Sequence, residues 1–278
     1  MIKITCISEV QYEIKAVKEN NKSFITNFYL EIDKMKTWIK DGELYKIRIG
    51  STVFFLKKDA EFSFLFYSSS SFEALGDSLS ILNSKINNIF FVIDIIGKEP
   101  NILLLVSLFK QHGFYLYTSL TRMSRLTDVS KHQKPIHKIT NADSSQIKVI
   151  INLLHKYFDP LAEQLPTYKE INNWIKLNQI LIIEVKEEIA GLVIFDLIGV
   201  TSYLRYWFVN PNYRNRKIGS SLLSSFFIKS AKTKRQLFWV IRTNENAIKR
   251  YMHYDFQEEN LYDYILTNKN IQYETENN

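Results

Sequence analysis

The chain has 278 residues, of which 46% are hydrophobic and 14% aromatic, so it is long enough for two ordinary domains with packed cores. Its formal net charge of +7 raises the question of nucleic acid, but the basic residues are interspersed with Asn, Asp and Glu, and no nucleic-acid-binding motif is present. The single cysteine, Cys6, excludes an intramolecular disulfide and a cysteine-based zinc site, and no apolar run is long enough to span a bilayer. These features predict a cytoplasmic protein that has no metal site and binds neither nucleic acid nor membrane.

Short segments of the first half of the sequence resemble segments of the second half. Three pairs share nearly the same offset: Trp38-Ile39-Lys40 with Trp174-Ile175-Lys176 at 136 residues, Phe109–Phe114 with Tyr251–Phe256 at 142, and Gly76 with Gly219 at 143. A short match alone would be chance, but an ordered set at one spacing predicts a tandem duplication.

A polar stretch with one proline, residues 127–143, is typical of a linker between the two halves. After it the pattern predicts a first strand near Ile136–Ile139 and a helix over about 145–157, capped by Asp143 or Ser144. The remaining elements before the third strand are a helix over 168–177 and a strand pair over 180–185 and 189–198.

The most informative stretch runs from the strand at Tyr203–Val209 into a basic turn and then an amphipathic helix that begins near Ile218. The first amides of a helix lack intrahelical partners and its dipole is positive there, so this turn is suited to a phosphate group. Arg214, Arg216 and Lys217 add positive charge, and Gly219 allows the backbone to approach closely. The turn therefore predicts a pyrophosphate site.

A second motif follows a predicted strand over Gln236–Ile241. It reads Asn244-Glu245-Asn246-Ala247-Ile248-Lys249-Arg250-Tyr251-Met252-His253-Tyr254-Asp255-Phe256. Helical spacing places Asn244 at the start of this helix and Tyr251 near its end.

Together the two motifs resemble those of the GNAT N-acetyltransferase superfamily. Residues 214–220 resemble its coenzyme A loop, Arg/Gln-x-x-Gly-x-Gly/Ala, and residues 244–256 resemble its Asn-x-x-Ala-x-x-x-Tyr-x-x-x-Gly-Phe segment. Two positions depart from the pattern. Lys217 stands in place of the first glycine, at a cost of about 1 kcal/mol if that residue needs a positive φ, and Asp255 replaces the glycine that ends the helix.

The resemblance implies an α+β fold with a central, mostly antiparallel twisted sheet flanked by helices, and two such domains in tandem. We expect a GNAT acetyltransferase domain over 134–268, a degenerate GNAT-like domain over 1–130 and a frayed tail over 269–278. In the first copy the loop at residues 68–76 carries no Arg or Lys, and Phe109 takes the position of Tyr251 without a hydroxyl. The first domain is therefore expected to bind no coenzyme A.

The resemblance also implies a site and a reaction: transfer of an acetyl group from acetyl-CoA to a primary amine by direct attack through a tetrahedral intermediate. Backbone N–H groups of Phe208 or Val209 would polarise the thioester carbonyl, and Tyr251 would protonate the thiolate. Tyr206 is the second catalytic candidate; Arg205, Asp196, Glu184 and His155 are further polar groups without a clear claim to act as base. The residues expected to bind acetyl-CoA are Phe208, Val209, Arg214, Asn215, Arg216, Lys217, Ile218, Gly219, Ser220, Asn244 and Ala247.

Two other functions stay open at this point. A non-catalytic acyl-CoA sensor would explain the relaxed positions Lys217 and Asp255, and a tandem-GNAT aminoacyl transferase of the Fem type would use aminoacyl-tRNA. The retained basic loop at Arg214–Ser220 argues against the Fem type. The acceptor, a small-molecule or peptide amine, and the oligomeric state are not encoded in any motif.

Overall fold

A computed structural model describes residues 1–19, 21–29, 32–86, 88–128 and 134–273, so residues 129–133 of the predicted linker and 274–278 of the predicted tail lie outside the described residues. The chain forms two compact units, residues 1–120 with 260–278 and residues 121–259. The domain limits expected from the sequence stay a prediction. In the described part of the chain, none of the helices has the length and apolar character needed to cross a membrane.

Unit 1 is a sheet with helices on both faces. Its elements are β1 (Ile2–Lys3), α1 (Ile7–Lys18), β2 (Ile25–Thr26), α2 (Ile32–Lys40), β3 (Leu44–Ile49), β4 (Thr52–Lys58), β5 (Ser63–Ser69), α3 (Phe72–Lys85), β6 (Phe91–Gly97), α4 (Asn101–Gln111) and the start of β7 (Tyr115–Leu126). The strand order is β1-β3-β4-β5-β6, followed by residues 260–267 of the last strand of the chain. All pairs are antiparallel except β5 with β6.

Unit 2 repeats that order of elements without the counterpart of β2. It contains β8 (Thr140–Asn141), α5 (Ile147–Tyr157), α6 (Tyr168–Lys176), β9 (Ile180–Val185), β10 (Glu188–Ile198), β11 (Thr201–Val209), α7 (Ile218–Lys229), β12 (Arg235–Ile241), α8 (Glu245–His253) and the start of β13 (Gln257–Thr267). The strand order is β8-β9-β10-β11-β12 with the end of β7 beyond β12. This confirms the predicted α+β fold and the order of its elements. The predicted first strand is wrong in position, because β8 forms at Thr140–Asn141, where it pairs with β9.

The repeat predicted from Trp38 and Trp174 is present in the backbone. The carbonyl of Trp38 accepts the amide of Glu43 at 2.9 Å, and the carbonyl of Trp174 accepts that of Gln179 at 2.9 Å. The end of α4 likewise matches the end of α8, since each helix closes on an amide bonded to the carbonyl five residues before it: Phe114 to Phe109 at 3.1 Å and Phe256 to Tyr251 at 3.2 Å.

The third pair, Gly76 with Gly219, is wrong as a structural match. Gly76 is the fifth residue of α3 and packs near Leu108 of α4, whereas Gly219 is the second residue of α7. A match of one glycine is too short to align the two helices. The glycines stand at different positions from the starts of α3 and α7.

Each sheet is buried on both faces. In unit 2 one face packs against α5 and α6 through Ile150, Leu154 and Trp174, and the other packs against α7 through Leu222 and Phe226. Continuous apolar runs in the central strands, such as Ala190–Phe195, follow from this double burial.

Candidate active site

The feature that positions the site is a gap between two parallel strands. The ladder of β11 with β12 joins only Thr201–Tyr203 to Arg235–Leu237, although β11 continues to Val209 and β12 to Ile241. Beyond Tyr203 the two strands separate, so residues 204–209 of β11 face an open edge. An open edge inside a sheet presents unpaired backbone donors and acceptors to whatever enters it.

The alternation of the neighbouring ladder shows which amides face this edge. The amide of Asn210 bonds the carbonyl of Ala190 on β10 at 3.0 Å, and Phe208 lies opposite Leu192 in the same register. Because alternate residues of a strand bond the same neighbour, the amide of Phe208 faces β10 and that of Val209 faces the open edge. Of the two amides predicted to polarise the carbonyl, Val209 thus has the suitable direction.

A register shift at Arg205 bends β11 next to the gap. Ile194 pairs with Tyr206 and Phe195 with Leu204, so Arg205 is an extra residue in β11. Such bulges bend a strand and increase its local twist. The bulge lies where the ladder to β12 ends.

The basic turn leads from the open edge into α7. Asn210 bonds the amide of Asn212 and begins a short 3₁₀ turn over Pro211–Tyr213, after which the side chains of Arg214, Arg216 and Lys217 are exposed. None of the ion pairs between described residues involves these three cations. They are therefore available to an anion.

The first amides of α7 have no side-chain cap. Lys217 is the N-cap residue and its side chain accepts nothing, whereas the side chains of Thr167 and Asn244 cap α6 and α8. The hydroxyl of Ser220 instead donates to the carbonyl of Lys217 at 2.9 Å. Uncapped amides next to three cations form the donor set that a pyrophosphate needs.

Lys217 adopts the left-handed conformation, with φ of 58°, and Asn215 has φ of 63°. The positive φ anticipated at Lys217 is therefore present. Asp255, the other departure from the family pattern, also has a positive φ of 65°.

Replacing Lys217 by glycine is expected to stabilise unit 2. The left-handed conformation costs a residue with a side chain about 1–2 kcal/mol, and the greater freedom of glycine in the unfolded chain offsets about 0.4–1 kcal/mol of that. A gain of up to about 1.5 kcal/mol should raise the melting temperature by up to roughly 3–6 °C. Lys217→Ala is the matched control, since it removes the amine but keeps the Cβ; an equal rise in that variant would assign the effect to charge.

Gly219 allows α7 to pack closely on β11. A Cβ at this position would lie 3.1 Å from the Trp207 ring and 3.2 Å from a methyl group of Val209. The indole N–H of Trp207 donates to the carbonyl of Gly219 at 3.2 Å, which fixes the start of the helix. Ile218, the first residue of α7, is buried in the core below it.

Tyr251 lies across the gap. Its ring contacts Trp207 of β11 at a centroid distance of 5.3 Å and Phe238 of β12 at 3.9 Å. Burial raises the pKa of its phenol, and the negative charge of Glu163 raises it further. A phenol that stays protonated beside the open edge can donate a proton there. Asn244 holds the start of the same helix, since its side-chain oxygen accepts the amide of Ala247 at 3.0 Å.

Tyr206 has a different environment. Its side chain is buried, and its hydroxyl donates to the backbone carbonyls of Glu163 and Gln164, at 3.1 Å each. Burial and the charge of Glu163 raise its pKa. These contacts make Tyr206 an anchor for the segment between α5 and α6; its catalytic role stays a prediction.

The other polar groups considered from the sequence are mostly engaged elsewhere. Asp196 accepts the indole N–H of Trp174 at 2.5 Å and pairs with Arg205 at 2.6 Å. Glu184 accepts the side-chain amide of Gln146 at 2.7 Å, and His155 is an exposed residue of α5.

The sequence reasoning missed Glu163, which lies in the connection between α5 and α6. Burial raises the pKa of its carboxyl to about 7, and the charge of Asp159 adds to the shift. This connection has neither helical nor strand periodicity, so nothing in the sequence marked Glu163 apart from its neighbours.

The corresponding gap in unit 1 is filled by its own chain. The ladder of β5 with β6 joins only Ser63 and Phe64 to Phe91 and Val92, and β2 pairs with β5 beyond it, at Ser68 and Ser69. The side chain of Asn27, which follows β2, accepts the amide of Tyr67 at 2.7 Å and donates to the carbonyl of Asp94 of β6 at 3.2 Å. Residues 25–27 thus bridge the two strands where unit 2 has an open edge.

In α3, the helix that follows β5, a side chain of the same segment caps the first amides. The side chain of Ser71 accepts the amide of Ala74 at 3.1 Å and so caps α3. Phe109, in the position of Tyr251, is completely buried and packs on Phe114.

Among the described residues, no group of three or more His, Cys, Asp or Glu side chains could hold a metal ion.

Residues 147–256 match the family model for the acetyltransferase (GNAT) family. A search of curated protein sequences gave no significant match.

Solved structures share the fold at low sequence identity. The chain is similar to an acetyltransferase of the GNAT family from Colwellia psychrerythraea, with 13% identity, a TM-score of 0.57, and coverage of 95% of this chain and 97% of that one. A GCN5-related N-acetyltransferase from Sphaerobacter thermophilus gives 11% identity, a TM-score of 0.58, and coverage of 93% and 90%. A tandem GNAT protein from the clavulanic acid biosynthesis pathway gives 9%, 0.56, and 96% and 97%.

Proposed function

Because residues 147–256 form a domain of the GNAT acetyltransferase family, we propose that the protein is an acyl-CoA-dependent N-acetyltransferase whose coenzyme site lies in unit 2. The observation that carries the proposal is the open edge of β11 leading directly into the uncapped start of α7. The open edge of β11 would hold the acyl and pantetheine part of the coenzyme, and the start of α7 would hold its pyrophosphate.

The residues of the turn would hold the coenzyme by charge and by backbone hydrogen bonds. Arg214, Arg216 and Lys217 face solvent beside the free amides of Ile218, Gly219 and Ser220. Charge-assisted hydrogen bonds to phosphate are short and strong, and the helix dipole adds to them. Acetyl-CoA supplies an acetyl group activated as a thioester. The Val209 amide would polarise its carbonyl, and Tyr251 would protonate the thiolate.

Unit 1, in the same proposal, binds no coenzyme. Residues 25–27 occupy the equivalent edge, Ser71 caps the equivalent helix, and Phe109 replaces the tyrosine. These features favour a single site in the chain.

Acetyl-CoA at 100 times its dissociation constant is expected to stabilise the protein by about 2.7 kcal/mol against thermal unfolding. Reversing the charge of both Arg214 and Arg216 to Glu should weaken binding by at least about 100-fold, since two charge-assisted hydrogen bonds are lost and each contributes about 1.5–3 kcal/mol. Isothermal titration calorimetry with acetyl-CoA measures the change directly.

The matched control reverses two exposed lysines at the other end of α7, Lys229 and Lys232, and should bind as the wild type does. Equal weakening in both variants would mean that overall charge, and no built site, attracts the coenzyme. Binding without acetylation of any amine in a screen would identify a sensor. Absence of binding by the wild type would contradict the proposal and favour the aminoacyl-transferase alternative.

A further inference from the structure

The turn before α7 directs one backbone carbonyl away from the helix. Lys217 is left-handed, with φ of 58°, and this angle sets the direction of the peptide group between Arg216 and Lys217. With a right-handed residue at this place, the carbonyl of Arg216 would point along the helix and accept the amide of Ser220, four residues later. The described residues do not form that bond. The carbonyl of Arg216 therefore needs a donor from outside the helix.

His137, in the segment that precedes β8, supplies this donor. Its Nε2 lies 2.7 Å from the carbonyl oxygen of Arg216, and because a carbonyl can only accept, the ring nitrogen donates. This bond holds the peptide group between Arg216 and Lys217 in the direction that the left-handed residue gives it. On the other side of Lys217, the hydroxyl of Ser220 donates to its carbonyl at 2.9 Å. Both peptide groups of Lys217 are thus held by side chains.

The backbone that carries His137 is itself held on both sides. Before it, the amide of Ile136 donates at 3.2 Å to the hydroxyl of Ser221, a buried residue of α7. After it, Thr140 pairs with Ile182 of β9. The segment therefore runs from the first turn of α7 to the edge of the sheet, and the imidazole has a fixed place beside the basic turn.

Removing the imidazole would give the turn an alternative conformation. A left-handed residue that has a side chain persists only where its neighbours hold it. Without the bond from His137, Lys217 would gain free energy by turning to the right-handed conformation. That rotation extends α7 toward Arg216, whose carbonyl then accepts the amide of Ser220. One of the unbonded amides at the start of the helix would be consumed.

We propose, on the basis of the coenzyme site proposed above, that His137 is a positioning residue that keeps the first amides of α7 free for the pyrophosphate of the coenzyme. It acts through the peptide group between Arg216 and Lys217, and the role requires no contact between the imidazole and the phosphates. The proposal also accounts for a lysine at the position where the family pattern has a glycine. A glycine adopts a positive φ unaided, whereas Lys217 keeps it with the help of His137.

The first test uses the protein without coenzyme and follows amide hydrogen exchange at Ser220 by NMR. In the wild type this amide should exchange rapidly, because it has no acceptor among the described residues. In His137→Ala its exchange should slow by up to about tenfold, the effect of one added hydrogen bond. A substitution that only loosened the fold would accelerate exchange instead, so slower exchange at this amide is a signature of the proposed role.

Two further variants and a control sharpen this test. His137→Gln keeps an N–H donor close to the position of Nε2, so Ser220 should exchange as in the wild type. Lys217→Gly combined with His137→Ala should also keep fast exchange, because glycine adopts the left-handed conformation readily. Thr140→Ala, at an exposed position of the same segment, is the matched control and should leave the exchange unchanged.

The same variants have an expected order of affinity for acetyl-CoA, measured by isothermal titration calorimetry. His137→Ala should bind about tenfold more weakly than the wild type, because one hydrogen bond to a charged group is lost. His137→Gln should bind within about twofold of the wild type, and the double variant within about twofold of Lys217→Gly alone, since the two residues act on one peptide group.

The outcomes separate this role from the proposed function. Unchanged exchange at Ser220 in His137→Ala, or a loss of affinity that Lys217→Gly does not restore, would overturn the role of His137 while leaving the coenzyme site in place. A wild type that binds no acetyl-CoA would overturn the site and the role together. Slower exchange at Ser220, with a loss of affinity that Lys217→Gly restores, supports the role.

Discussion

Replacing Gly191 by alanine is expected to destabilise unit 2 and weaken acetyl-CoA binding together. A Cβ at this position in β10 would lie 2.8 Å from Cγ2 of Ile218, 2.9 Å from Cδ1 of Leu222 and 2.9 Å from the carbonyl oxygen of Phe208. Two of these atoms belong to α7 and the third is backbone of β11, so the helix and the strand would have to move apart. Overpacking of this kind costs about 1–3 kcal/mol.

The movement would occur where the proposed site is built, because Ile218 is the first residue of α7 and Phe208 lies on the separated part of β11. Thermal unfolding should show a fall of several degrees, and calorimetry should show a higher dissociation constant for acetyl-CoA. Gly97→Ala is the control, since its Cβ would meet only the side chain of Ile102, at 3.3 Å, in unit 1. If Gly191→Ala melts and binds as the wild type does, the close approach of α7 is not needed for either property.

Leu266→Ala should open the sheet of unit 1 although the residue is near the end of the sequence. Leu266 is completely buried in the core of unit 1, and the strand that carries it pairs with β6 from Tyr262–Gly97 to Thr267–Val92. Removing a buried leucine side chain typically costs about 2–5 kcal/mol. Because the loss is in one unit, amide hydrogen exchange should accelerate in Phe91–Gly97 and stay slow in β9 and β10.

Ile96→Ala is the matched control for that measurement. Ile96 lies on the same strand pair and is 55% exposed, so its truncation should change exchange little. Faster exchange in both units of the Leu266 variant would show that they unfold as one cooperative body.

The sequence predicted the elements of unit 2 well because its patterns are local. The helix over Ile218–Lys229 has apolar residues at helical spacing, the strand over Ile180–Val185 is a short apolar run, and Asp143 caps the turn that leads into α5 as expected. The match of Trp38 with Trp174 could be read from the sequence because three consecutive residues are identical, and both tryptophan carbonyls accept the amide five residues later. The weak first strand was misplaced because two residues, Thr140 and Asn141, carry no periodicity at all.

The site was predictable only where it depends on local conformation. The positive φ of Lys217 could be anticipated because this residue stands where the family pattern has its first glycine. Glu163 could not be recognised, because burial in the folded chain is the main cause that raises its pKa, and its contact with Tyr206 is distant in sequence. The filling of the first gap by Asn27 was missed for the same reason, since its partners Tyr67 and Asp94 are distant along the chain.

The pairing of residues 262–267 with β6 has a consequence for the order in which the protein is made. A ribosome releases β6 long before these residues, so unit 1 waits with an unpaired strand edge while all of residues 121–259 are synthesised. Unit 2 contains every residue of its own compact body by Glu259 and can fold first, which reverses the usual order in which the N-terminal domain folds first. During that interval the unpaired edge of Phe91–Gly97 is open to wrong pairing, and a chaperone that binds extended apolar segments would protect it.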